Sequence, residues 1–201
     1  MSVRVAGTLL DTLSARRISD RAIQAAAVLF VTALTAAAAQ VSIPLPFTPV
    51  PFTLQPMVVL LGGAALGSRL GMASQILYLL IGIAGFPVFA ASPVLPQGVL
   101  RLLGPTGGYL MSYPFAAFVA GALAERGFDR RYITSVLAMT AGLAVIFACG
   151  VIWLGWFARP TNAGLGVALR TGLYPFILVD ILKLLIAAAI MPAVWRIVGR
   201  H

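Results

Sequence analysis

Charged residues are scarce in this sequence. Only five of its 201 residues are acidic and 9% are charged, whereas soluble domains carry about 25% charged residues. In addition, 61% of the residues are hydrophobic and the mean hydropathy is +1.01. These values exclude an ordinary water-soluble domain. Because backbone polar groups in lipid must be satisfied internally, they predict an all-α integral membrane protein.

Cysteine and histidine are almost absent. Cys149 is the single cysteine, and His201, the last residue, is the single histidine. One cysteine excludes an intramolecular disulfide and a multi-cysteine metal site, and a terminal histidine argues against histidine-centred catalysis. We therefore expect no metal and no cofactor.

The net charge of +9 would suggest nucleic acid binding if the basic residues clustered on a polar domain. They are instead dispersed at the ends of apolar segments, so we interpret them as markers of membrane topology. No nucleic acid partner is expected.

Six apolar segments are predicted to cross the membrane. About 20 residues are needed to span roughly 30 Å of hydrocarbon, so the second segment, with 13 residues, is marginal. The first resembles a signal peptide because it follows Arg16 and Arg17, but it exceeds the usual apolar core of about 7 to 15 residues. We expect a cytoplasmic segment, 1–20, and a single six-helix membrane domain, 21–201. The approximate spans are 23–41, 54–66, 70–83, 108–124, 133–157 and 172–194, and residues 159–170 are predicted to form a turn-rich connection between the last two.

The arginines predict the orientation of these spans. With the N-terminus inside, Arg101, Arg159 and Arg170 lie outside and Lys183 lies within the last span, which leaves ten of the 14 basic residues in the cytoplasm. This asymmetry follows the positive-inside rule. It predicts an even number of spans, with both termini cytoplasmic.

Asp180 and Lys183 are the only charged residues well inside a predicted span. Each would cost about 2.5 to 3.5 kcal/mol at the bilayer centre, so something must compensate for them. Because they are three residues apart, they share a helical face and can pair. They could form a self-satisfied ion pair that holds the bundle together. We favour the alternative, a pair that faces a polar cavity, because the outer loop with Arg101 faces the same leaflet.

The loop 85–109 is rich in proline and glycine. An irregular segment at membrane depth must cap a protein-lined cavity or lie at the water interface. Its end, GPTGGY at 104–109, lets the backbone approach a bound molecule closely before the next helix begins. We interpret this loop as the lid and wall of a small-molecule site.

Ala33 and Ala37 lie one turn apart in the first span. Small residues at this spacing let another helix approach closely in lipid. They could serve packing within the chain or form a docking face for a partner subunit.

Several blocks of the sequence, taken together and in order, resemble a known family. The blocks are QVSIPL at 40–45 with PVPFTLQ at 49–55, the glycines of 62–67, GFPVFA at 85–90, GPTGGY at 104–109, and Pro175 to Asp180 with Lys183. They resemble the signature of the BioY family, the biotin-specific substrate-binding (S) components of energy-coupling factor (ECF) transporters. The resemblance covers roughly residues 33–183.

This resemblance implies a six-helix S-component bundle in a prokaryotic inner or plasma membrane, with a biotin pocket near the outer surface. It also implies assembly with a transmembrane coupling (T) subunit and two ABC-type ATPases, or a homo-oligomer if the protein acts alone. The sequence contains no Gly-rich phosphate-binding motif that ends in Lys-Ser/Thr. We therefore expect no enzyme activity in this chain and ATP hydrolysis by its partners.

The chemistry of biotin suggests roles for the candidate residues. Asp180 can accept from the ureido N–H groups and Lys183 can donate to the ureido carbonyl. Aromatic side chains can pack against the rings or simply form core; these are Phe89, Tyr109 and Tyr78.

Residues of the loop 85–109 complete the predicted site. Arg101 could draw the biotin carboxylate or close a lid over it. Thr106, with the backbone of Gly107 and Gly108, could bind the ligand or only shape the start of a helix.

Two alternatives remain open from the sequence. The first is an S component for another vitamin. The second is a membrane-embedded enzyme that modifies a lipid headgroup, which has only the intramembrane charge in its favour. The chain lacks the multiple Asp or His residues that metal-assisted phosphoryl chemistry needs.

Overall fold

Helices dominate the structure, a computed structural model that describes residues 8–9, 20–92, 96–157 and 164–198. The α-helices, in chain order, are α1 (Asp20–Gln40), α2 (Gln55–Leu66), α3 (Ser68–Ile83), α4 (Val99–Leu102), α5 (Gly107–Ala124), α6 (Tyr132–Phe157), α7 (Gly164–Gly172) and α8 (Tyr174–Val198). A 3₁₀ helix, Phe128–Arg130, lies between α5 and α6. Two short strands, β1 (Ser42–Ile43) and β2 (Phe52–Thr53), separate α1 from α2.

Within the described ranges, four helices are long and apolar enough to cross a membrane: α1, α5, α6 and α8. The predicted all-α class is thereby confirmed, while the six spans and the cytoplasmic termini stay predictions. Helices α2 and α3 are apolar but contain 12 and 16 residues. Whether these two cross the bilayer stays a prediction.

Helix α5 packs against α2, α3 and α6, and small residues make these contacts close. A Cβ atom on Gly63 of α2 would overlap the backbone of Ala117. A Cβ atom on Gly121 would lie 2.5 Å from the backbone nitrogen of Ser68. Close backbone approach through small residues is the usual way in which helices associate in lipid.

The proline-rich connection between α1 and α2 forms a hairpin. Its strands pair antiparallel, Ser42 with Thr53 and Ile43 with Phe52. Thr48 Oγ1 donates a hydrogen bond of 2.6 Å to the carbonyl oxygen of Thr171. We call residues 42–53 the proline hairpin. The Thr48 bond ties it to the last turn of α7.

The prediction of a turn-rich connection at 159–170 is wrong for residues 164–170, which begin α7; residues 158–163 lie outside the described part. Ala168 is fully buried, and it lies 3.6 Å from a Cβ atom placed on Gly155 of α6. This packing outweighs the low helix propensity of the glycines in α7.

At the end of the bundle opposite the hairpin, Glu125 caps α3. Its Oε1 accepts hydrogen bonds from the Ser68 backbone N–H at 2.7 Å and from the Ser68 hydroxyl at 2.8 Å. Thr8 and Leu9 are buried, and the Thr8 methyl group lies 2.9 Å from a Cβ atom placed on Gly67. Part of the predicted N-terminal segment thus packs on this end of the bundle.

Candidate ligand-binding cavity

A cavity of about 620 Å³ lies beneath the loops at the hairpin end of the bundle. Small-molecule sites in proteins typically measure roughly 300 to 1,000 Å³. The proline hairpin, residues 89–92, residues 100–106 and the start of α5 form its mainly apolar walls. Such a cavity suits a ligand with a large apolar body and few polar groups.

Four of the predicted site residues line this cavity: Phe89, Arg101, Thr106 and Tyr109. Tyr78 lies behind the wall, fully buried, with its ring edge-on to Phe89 at a centroid distance of 5.5 Å. The structure therefore brings the predicted loop and aromatic residues together. Their contact with a ligand stays a prediction.

Asp180 and Lys183 are buried, with 6% and 8% of their surfaces exposed. Lys183 Nζ donates to Asp180 Oδ1 at 2.7 Å and to the carbonyl oxygen of Thr53 at 2.6 Å. It also lies 3.5 Å from the centre of the Phe52 ring. The two charges thus compensate each other and anchor the end of the proline hairpin to α8.

The charged pair lines a separate hollow of about 50 Å³ next to the large cavity. Among the residues lining the large cavity, Asp180 and Lys183 are absent. The two spaces share five wall residues: Val50, Pro51, Thr53, Tyr109 and Tyr113. Only this thin partition separates the predicted charged pair from the large cavity.

Residues 87–90, which we call the strap, run along the cavity wall. The backbone carbonyl group of each of these four residues accepts a hydrogen bond from a side chain. Two of these side chains belong to the bundle and two to the loop with α4. The donors are Gln40 to Pro87 at 3.3 Å, Tyr78 to Val88 at 3.1 Å, Gln97 to Phe89 at 3.1 Å, and Arg101 to Ala90. The strap is therefore held from both sides, which fixes Phe89 in the wall.

Arg101 is 5% exposed, and its guanidinium donates to the Ala90 carbonyl. Its Nε is buried with no hydrogen-bond partner in the described part of the chain. Burial lowers the pKa of Arg101, and the nearby Tyr78 opposes this shift. Both roles considered for Arg101, drawing a ligand carboxylate and closing a lid over it, stay predictions.

The start of α5 is held by close packing. A Cβ atom on Gly107 would overlap the Leu102 carbonyl oxygen, and one on Gly108 would overlap the Trp153 side chain. Trp153 Nε1 donates to the Gly104 carbonyl at 2.8 Å. Thr106 precedes the helix without a side-chain capping bond. The two glycines are thus required by packing, whatever else they bind.

Tyr109 lies on α5, in the wall shared by the large cavity and the small hollow, and its side chain reaches α7. Its hydroxyl donates to the Gly172 carbonyl oxygen at 2.8 Å. Its ring lies against Gly150, where a Cβ atom would overlap it. The ring is therefore fixed as a wall of both the cavity and the small hollow.

Sequence reasoning missed Gln55 and Tyr113, which both line the cavity. Gln55 is 2% exposed, and its Nε2 donates to the Tyr78 hydroxyl at 2.7 Å. A glutamine at the start of an apolar span is a polar insertion comparable to Asp180 and could have been found on that ground. Tyr113 lies one turn after Tyr109 on the same face of α5.

Ala33 and Ala37 both lie on the exposed face of α1. The buried face of the same helix carries Thr32 and Thr35. Thr32 donates to the Ser74 carbonyl of α3 at 2.9 Å. The helix is thus fastened to the bundle by one face and leaves the alanine face free for another contact.

Comparisons with known proteins assign a family. The BioY family model matches residues 11–200. The "Probable biotin transporter BioY" of Pyrococcus horikoshii is 41% identical, over 75% of this chain and 83% of the relative. The "Biotin transporter BioY" of Thermotoga maritima is 39% identical, over 79% and 88%.

A solved structure has a similar fold. It is described as the "S-component for biotin from an ECF-type ABC transporter". The match has a TM-score of 0.77 at 24% identity and covers 90% of this chain and 95% of the other.

Proposed function

The chain belongs to the BioY family, as its sequence blocks indicated, and from this membership we propose that it takes up biotin as the S component of an ECF-type transporter. The observation that carries the proposal is the mainly apolar cavity of about 620 Å³ enclosed by loops at one end of an S-component fold. The relatives named biotin transporters support the choice of ligand.

Biotin matches the chemistry of this cavity. Its thioether ring and acyl chain suit the apolar walls, and burying apolar surface supplies most of the binding free energy. We propose that the ureido ring occupies the Thr53 end, next to Asp180 and Lys183. The charges of this pair would then stabilise the polar ureido ring at short range, because the site excludes water.

The topology proposed for this function has six spans and two cytoplasmic termini. Ser68 contacts Glu125, so the neighbouring Arg69 and Arg126, both exposed, lie at the same end of the bundle. This end is opposite the cavity, as the positive-inside rule requires if the cavity faces outward. Helices α2 and α3 would then both cross the prokaryotic cell membrane.

Energy for transport would come from partners. The proposed partners are a T subunit, which would contact the exposed face with Ala33 and Ala37, and two ABC-type ATPases. The chain itself would bind substrate without enzymatic turnover, embedded in membrane lipid. Without such partners it would act as a homo-oligomer.

Titration calorimetry on the purified protein in detergent tests the proposal. We expect saturable binding of biotin and of desthiobiotin, which retains the ureido group, and no binding of lipoate, which lacks it. Binding of another vitamin in place of biotin would assign a different substrate. Turnover of a lipid without any partner subunit would instead indicate that the chain is an enzyme and not a transporter subunit.

A further inference from the structure

The hydrogen bonds of Tyr78 determine the orientation of the Gln55 side chain. The Tyr78 hydroxyl oxygen lies 3.1 Å from the Val88 carbonyl oxygen and 2.7 Å from the Gln55 amide. A carbonyl only accepts and a phenol has a single proton. Tyr78 therefore donates to Val88 and must accept from Gln55. The amide nitrogen of Gln55 has to face Tyr78.

This orientation leaves the other end of the amide available. Gln55 lines the cavity and is 2% exposed. No side chain or backbone group in the described ranges donates to its Oε1. An acceptor held in a fixed direction in the cavity wall is suited to a ligand donor.

Several other polar side chains at the cavity donate hydrogen bonds within the protein. Tyr109 donates to the Gly172 carbonyl, and Arg101 donates to that of Ala90. In the adjoining hollow, Lys183 donates to Thr53. These contacts stiffen the walls, whereas Gln55 Oε1 accepts from no described residue and can accept from a ligand.

We propose that Gln55 Oε1 accepts a hydrogen bond from a ureido N–H of the ligand, and that Tyr78 is the positioning residue that holds Gln55 for this contact. The inference rests on the proposed function. At neutral pH the two ureido N–H groups are the only donors that biotin has, because its carboxylate only accepts. Gln55 is two residues from Thr53, so the ureido ring would lie at the end of the cavity nearest Lys183.

A double-mutant cycle between protein and ligand tests the contact. Calorimetry would compare biotin with its two analogues methylated on one or the other ureido nitrogen, in the wild type and in Gln55→Met. In the wild type, methylation of the contacted nitrogen should weaken binding roughly 10- to 100-fold. In Gln55→Met the same methylation should change the affinity by no more than about threefold, since the acceptor is gone. Equal methylation penalties in both proteins, for both analogues, would overturn the contact.

Gln75→Met is a matched control. Gln75 is also a fully buried amide, but its Nε2 donates to Thr35 and Ser74, each at 3.2 Å, away from the cavity. Its variant should retain the methylation penalty of the wild type. If this control also lost the methylation penalty, the penalty would not depend on Gln55 in particular. That result would also overturn the assignment to Gln55.

Tyr78→Phe tests the positioning role and provides a second measurement if Gln55→Met does not fold. It keeps the ring against Phe89 but removes the acceptor that orients Gln55. We expect the methylation penalty to fall severalfold. An unchanged penalty would refute the positioning role of Tyr78. If the wild type bound no biotin at all, the proposed function would fail before the role of Gln55 came into question.

Discussion

The ammonium group of Lys183 lies 2.6 Å from the carbonyl oxygen of Thr53, 130 positions earlier in the chain. The bond joins the middle of α8 to the last residue of the proline hairpin. Because the hairpin forms one wall of the cavity, a residue on the far side of the small hollow helps to hold that wall. Lys183 thus has a structural role independent of any ligand.

Lys183→Ala should destabilise the protein and weaken biotin binding. Removing one partner of a buried ion pair leaves the other charge uncompensated, which costs about 3 to 5 kcal/mol. The free energy of unfolding in detergent and calorimetry with biotin measure the two effects. The double variant with Asp180→Asn should be less destabilised than Lys183→Ala alone, since no unpaired charge remains. A single variant as stable as the wild type would contradict this account.

Gly107→Ala should prevent correct packing at the start of α5. The added methyl group would overlap the Leu102 carbonyl oxygen. Because this contact involves backbone atoms, separating the two segments costs free energy. Overpacking of this kind costs about 1 to 3 kcal/mol or more. We expect a lower Tm and weaker biotin binding.

Gly166→Ala in α7 is the matched control, because no atom of the described residues lies within 4 Å of its added methyl group. Replacing glycine by alanine inside a helix should stabilise it by up to about 1 kcal/mol. Equal destabilisation by the two substitutions would show that packing at Gly107 is not the cause.

Replacing both Ala33 and Ala37 by leucine should abolish co-purification with the T subunit and leave biotin affinity unchanged. Both alanines are exposed on α1, so the larger side chains fit the isolated protein but keep a partner helix away. Pull-down of the co-expressed T subunit, together with a biotin titration, measures the effect.

The control for this variant replaces Ala144 and Ala148 by leucine. These alanines are also exposed and one turn apart, but on α6. We expect the T subunit to be retained. If both variants retain the T subunit, the α1 face is not the docking surface. If both lose it, the loss is a general effect of larger side chains.

Asp129 should make the stability of the protein depend on pH. Its Oδ2 accepts a hydrogen bond of 2.6 Å from Trp195 Nε1, and Arg130 lies over the Trp195 ring, 4.6 Å from its centre. Burial raises the pKa of the Asp129 carboxyl, while the Trp195 bond and the charge of Arg130 oppose the shift. A raised pKa means that folding favours the protonated form. This contribution to stability is complete below the ordinary pKa of about 3.9 and is lost as the pH rises through the folded-state pKa.

Thermal unfolding of the wild type and of Asp129→Asn, measured in detergent between about pH 4 and pH 8, isolates this contribution. The stability of the wild type relative to the variant should decrease as the pH rises. A difference that stays constant, or that increases with pH, would show that the folded state does not raise the pKa of Asp129.

Local features explain which parts of the site were predictable. Asp180 and Lys183 stand out because charge within an apolar span is conspicuous in any sequence window, and the GPTGGY segment stands out by composition. The turn-rich interpretation of residues 164–170 was wrong because glycine counts are local, whereas the burial of Ala168 against α6 is not. Gln55 was recognisable as a polar insertion, but the direction of its amide is apparent only from the hydrogen bonds of Tyr78 to Gln55 and Val88.

The sequence by itself determined the membrane class, the all-helical fold and the family, because hydropathy, charge distribution and short blocks are properties of consecutive residues. Only the tertiary structure decided that a thin partition lies between the charged pair and the large cavity, that the strap is held from both sides, and which end of Gln55 is free. The physical reason is that each of these depends on hydrogen bonds and packing between segments far apart in the chain. Such contacts exist only once the helices have assembled.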